Sequence, residues 1–79
     1  MNLDSLPLEK YVELENDPYY LARITVNQYK TTFHVELDII HKETHKIYKH
    51  LGRFYDFSEI DDALETGYQR LKDLIGKKI

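Results

Sequence analysis

From Tyr20 onward the chain alternates apolar and polar residues with a period of two, and no other feature restricts the fold as much. Ala22, Ile24 and Val26 alternate with Arg23, Thr25 and Asn27; after a break near Tyr29–Thr31, Phe33, Val35, Leu37 and Ile39 alternate with His34, Glu36 and Asp38. A strand sends successive side chains to opposite faces, so this period gives each strand one apolar and one polar face. Two such strands joined by a short break form an antiparallel pair with one face buried.

A third strand is placed by its turn. The stretch His41-Lys42-Glu43-Thr44-His45-Lys46 has the form of a four-residue loop on a type I turn, whose last residue takes the left-handed conformation. That residue is His45, and His is among the non-glycine types enriched there. With 42–45 as the loop, His41 faces Lys46. A constant register then sets Ile40 opposite Ile47, Asp38 opposite Lys49 and His34 opposite Arg53 on one face. The core face receives Ile39 with Tyr48, Leu37 with His50, Val35 with Gly52 and Phe33 with Phe54.

Residues 58–76 read as a helix. Ser58 is the expected cap with Asp61 at the capping-box position, and Glu59, Asp61 and Asp62 favour the positive end of the helix dipole. Ile60, Ala63, Leu64, Gly67, Leu71 and Leu74 form the apolar stripe, and Gly76 ends it before Lys77 and Lys78. A glycine inside a helix costs about 1 kcal/mol against alanine, so Gly67 implies a close approach to the sheet, here expected beneath Tyr48 and Phe54. Asp4 or Ser5 as a cap, Pro7 in a first turn and the spacing of Leu8, Tyr11, Val12 and Glu15 predict a short helix over 6–15, ended by Asn16 and Pro18.

The expected order is therefore α-β-β-β-α. That is an α+β fold, a three-stranded antiparallel meander backed by a long C-terminal helix, with residues 1–79 forming one domain. It would leave the first strand as a sheet edge open to pairing with a second copy.

Composition narrows the chemistry. A chain of 79 residues buries only roughly 60% of its unfolded surface, and with no cysteine it gains no disulfide or thiolate metal site. The N-terminal stretch MNLDSLPLEKYVELEND lacks a signal-peptide pattern and no run is apolar enough to cross a bilayer, so a soluble, cytoplasmic protein is expected. Accessory and regulatory proteins of bacteria and phages are often this small, an analogy from size alone. No nucleophile presents itself, because Ser5 and Ser58 both read as caps and the lysines fall at turns, outward positions or helix edges. His34, Glu36 and Asp38 share a strand face, but Asp38 has Lys49 as its expected partner, which leaves a solvated sheet face. The four histidines do not converge in this register: His41 and His45 bracket the loop, His34 points outward and His50 inward. No metal, cofactor or small-molecule substrate is expected.

The α-β-β-β-α order resembles that of double-stranded-RNA-binding domains. That family places lysines at the start of its last helix, whereas Ser58-Glu59-Ile60-Asp61-Asp62 places three carboxylates there, so no motif carries over. The hairpin HKETHKIYKHLGR offers four cations in a chain of net charge −3. Four phosphate contacts would lose roughly a hundredfold in affinity between about 50 and 200 mM salt, and this register buries Tyr48, so single-stranded nucleic acid is the weaker reading. The stronger one is a non-enzymatic domain that binds another protein or a second copy of itself. Its expected surface is an apolar cluster of Ile40, Ile47 and Leu51 ringed by Arg23, His34, Lys46, Lys49 and Arg53. The N-terminal helix, through Leu8, Tyr11 and Val12, is the competing cover for that cluster.

Overall fold

A computed structural model describes residues 6–76 of the chain. The described residues form four strands and a helix: β1 (Leu8–Glu13), β2 (Tyr20–Tyr29), β3 (Thr32–His41), β4 (Ile47–Phe57) and α1 (Ile60–Gly76). The strands pair antiparallel in sequence order, and α1 covers one face. The class is α+β, as the alternation and the C-terminal stripe require. No described helix is long and apolar enough to cross a membrane.

The short N-terminal helix does not form. Residues 8–13 are a strand that pairs along β2, Leu8 opposite Val26 and Val12 opposite Ala22. Leu8 and Val12 satisfy a period of two as well as one of 3.6, and tertiary pairing decides between them. As a strand the segment supplies backbone partners to β2 and sends Leu8 and Val12 into the core beside Leu14. β2 is consequently interior, and β1 takes the edge position. Asn16, at φ 61°, turns the chain, and the Asp17 carboxylate accepts from the N–H of Tyr19 (2.9 Å) and Tyr20 (3.1 Å) to start β2. The expected caps Asp4 and Ser5, and Lys77–Lys78, lie outside the described residues.

The β3–β4 turn takes its expected form. His45 N–H donates to the His41 carbonyl, His41 N–H donates to that of Lys46 (both 2.9 Å), and His45 sits at φ 60°. The constant register fails beyond it. Ile40 faces Ile47, but Ile39 faces Lys49, Asp38 faces His50, Leu37 faces Gly52, Val35 faces Phe54 and Phe33 faces Phe57. Three irregularities along β4 insert Tyr48, Leu51 and one residue near Asp56, whose φ is 70°. Each bulge adds one unpaired residue and bends the strand, so the faces of residues beyond it are reassigned.

The core lies between α1 and the inner face. Ala22, Ile24, Val26, Val35 and Leu37 pack against Ile60, Ala63 and Leu71. The helix opens at Ile60, so Glu59 rather than Ser58 takes the flanking position, with its carbonyl accepting from Ala63 N–H at 3.2 Å. Gly67 does mark a close approach, but its neighbours are Val35 and Ile24, not Tyr48 and Phe54. A Cβ there would stand 2.9 Å from Val35 Cγ2 and 3.0 Å from Ile24 Cγ2, both on rigid β-branched side chains. Gly67→Ala should therefore destabilise by about 1–3 kcal/mol in urea unfolding despite its better helix propensity. A neutral or stabilising result would show that the helix does not rest on the sheet at this point.

Candidate functional site

The sheet face away from α1 carries a connected polar network across all four strands. At its centre is Asp38, whose side chain is 1% exposed. His50, brought opposite it by the Tyr48 bulge, places Nδ1 2.8 Å from Asp38 Oδ1 and 3.4 Å from Glu36 Oε2. Arg53 Nη2 donates to Glu36 Oε1 at 2.9 Å. On the other side Arg23 Nη2 stands 3.7 Å from Asp38 Oδ2, and its Nη1 stands 3.9 Å from Glu9 Oε2. Tyr11 hydroxyl donates to Glu9 Oε1 at 3.0 Å. Desolvation, followed by that bond to Glu9, pushes the Tyr11 phenol above its ordinary value. Hydrogen bonds to Tyr55 and Glu36 raise the Arg53 guanidinium further.

A buried carboxylate costs several kcal/mol to desolvate unless cations and donors replace its water. Asp38 obtains them from β2 and β4, so it ties the strand order to the β4 register. The group set Glu36, Asp38 and His50 could hold a metal, since one donor atom from each lies within 4.8 Å of the others. The Asp38–His50 pair has the geometry of an oriented base, and we assign it no catalytic step.

A second feature lies where the β3–β4 turn meets the C-terminal end of α1. Tyr20 and Tyr48 rings approach to 4.5 Å, and His41 lies 5.0 Å from Tyr20 and 5.8 Å from Tyr48. Beside them is a groove of ≈ 340 Å³ walled by Leu14, Tyr20, Ile39, Tyr48, Leu51, Leu74 and Ile75, with Lys49, Glu15 and Asp17 as its charged members. Tyr48 is 60% exposed, so the expectation that the register buries it is overturned. As the extra residue of a bulge, Tyr48 escapes the close pairing that would press it onto the core.

The residues expected to form one partner-binding surface divide between the two faces. Arg23, His34 and Arg53 do share the outer face. Arg23 and Arg53 are held there in ion pairs, while His34 has its ring 5.8 Å from that of Tyr55 and its buried Nδ1 without a hydrogen-bond partner. Ile40 is on that face but fully buried, and Ile47 opposite it is exposed. Leu51 and Lys49 are on the helix side, Leu51 against the core and Lys49 on the groove. Lys46 is exposed in the turn. The expected outer apolar cluster does not exist, because the bulges carry Leu51 away and Ile40 is closed over. His50 is outward beside two carboxylates, not inward against Leu37, and Asp38 is partnered by His50 and Arg23, not by Lys49.

Comparison with protein-family models, with curated proteins and with solved structures gives no match to this chain. Function is therefore argued from the sites themselves.

Asp38→Ala should lower stability by about 3 kcal/mol, because it leaves Arg23 largely buried beside an empty position. Chemical denaturation measures this, and a loss below about 1 kcal/mol, the scale of a surface pair, would show that the network is not what holds this face.

Proposed function

We propose that this chain is a non-enzymatic binding module that takes up an apolar segment of a partner protein in the groove between β4 and the end of α1. The observation that carries the reading is the groove itself, where seven apolar or aromatic residues wall a concave space and one cation, Lys49, stands among them. Exposed tyrosine beside apolar wall is the composition of interface centres, because two-torsion aromatic side chains bury much area at little entropic cost. The chemistry that fits is a short peptide with two or three apolar side chains and an acidic residue placed for Lys49. A reducing, cytoplasmic setting belongs to the same reading and draws on the lack of cysteine.

Two features speak against recognition by strand addition. β1 is only six residues long with Glu9, Lys10 and Glu13 in it, and β4 is interrupted by three irregularities. Charges, shortness and bulges are the devices that keep sheet edges from pairing with other chains. Single-stranded nucleic acid gains from the exposure of Tyr48 and loses by charge. Lys42 is paired with Glu13 at 3.3 Å, and Glu15 and Asp17 line the groove.

Selection from a displayed peptide library should enrich apolar sequences containing Asp or Glu. Tyr48→Ala and Lys49→Glu should each weaken the selected peptides by about 1–2 kcal/mol in fluorescence anisotropy, with the melting temperature unchanged. Peptides bound equally well by both variants, or displaced by oligonucleotide, would overturn the reading. A dimer in light scattering that Tyr48→Ala dissociates would make a second copy the partner.

A further inference from the structure

We propose that Glu36, Asp38 and His50 form a site for a divalent ion of borderline softness, with Zn²⁺ as the reference case. The inference is independent of the groove, which lies on the other face. Three observations carry it. First, the donor separations are near those of an ion: ligand bonds of about 2.0–2.2 Å put neighbouring donors roughly 3–3.5 Å apart. His50 Nδ1 lies 3.4 Å from Glu36 Oε2 and 2.8 Å from Asp38 Oδ1, the latter a hydrogen bond that an ion would replace.

Second, the carboxylates are already aimed. Arg53 holds the outer oxygen of Glu36 and Arg23 stands at the outer oxygen of Asp38, leaving the other oxygen of each directed at the same ring nitrogen. Partners behind the ligands orient them in metal sites generally. Asp38 is fixed by burial, while His50, with its side chain 48% exposed, leaves further coordination positions to water.

Third, the fixed charges on this face favour a cation. Glu9, Glu36 and Asp38 face Arg23 and Arg53, three carboxylates against two guanidinium groups, an excess that favours a cation among them. The nearby guanidinium groups weaken metal binding without blocking the site, since neither occupies the oxygens that face His50.

The test is calorimetric titration of the full chain with zinc chloride, paired with cobalt absorption to report coordination geometry. One saturable site is expected. His50→Gln, at a half-exposed position, should reduce affinity at least about tenfold. Glu36→Gln should weaken it in the same direction, and His45→Gln, in the turn, should leave it unchanged. Circular dichroism confirms that each variant is folded. No saturable binding at millimolar zinc, binding that survives His50→Gln, or binding lost with His45→Gln would overturn the site.

Discussion

One carboxylate organises the outer half of this molecule. Asp38 sits in the middle of a sheet face with almost none of its surface in water, and it cannot remain there as an anion without compensation. Arg23 provides it from β2, and His50 from β4. Arg23 is shared with Glu9 on β1, so the requirement extends to the strand that the helical spacing concealed. The β4 bulge at Tyr48 is part of the same requirement. Without that extra residue, a lysine on a flexible stem would face Asp38, in place of a ring that delivers one nitrogen to two carboxylates.

The bulges also explain why the two faces of β4 differ so much. Leu51 goes to the core and Lys49 to the groove, while His50 and Arg53 go to the polar network. Tyr48 is freed by the first bulge and joins Tyr20 and His41 in an aromatic group at the open end of the sheet. One strand thus serves the core, an ion network and a tyrosine-lined groove, which a regular strand with only two faces in strict alternation could not do.

Much of this architecture was legible before any coordinates. Period-two alternation located β2 and β3, and the stripe from Ile60 to Leu74 located α1. Loop chemistry placed His45 at positive φ, because few side chains tolerate that conformation. Gly67 announced a close contact through the helix propensity it sacrifices. What could not be read has a common cause in tertiary competition. Leu8, Tyr11 and Val12 suit a helix face or a strand, and only the need of β2 for backbone partners chooses. The bulges leave no motif, since β4 is as apolar and as polar as a regular strand would be. One signal was available: the constant register buried His50 against Leu37 with no polar partner, and an unpartnered buried imidazole is itself a reason to doubt a pairing.

That signal bears on the candidate site as well. Moving His50 outward by one bulge removes an unsatisfied group from the core and satisfies Asp38 at the same time, so the two errors of a regular register are corrected together. The two proposed sites, for an ion and for a peptide, lie on opposite faces of one sheet. The outer face is nearly closed by its own ion pairs around Glu36, Asp38 and His50; the inner face ends in an apolar groove that α1 leaves uncovered. A ligand in the groove would touch Tyr48 and Lys49, the residues immediately before His50 on the same strand. An ion held by His50 would brace that segment from behind.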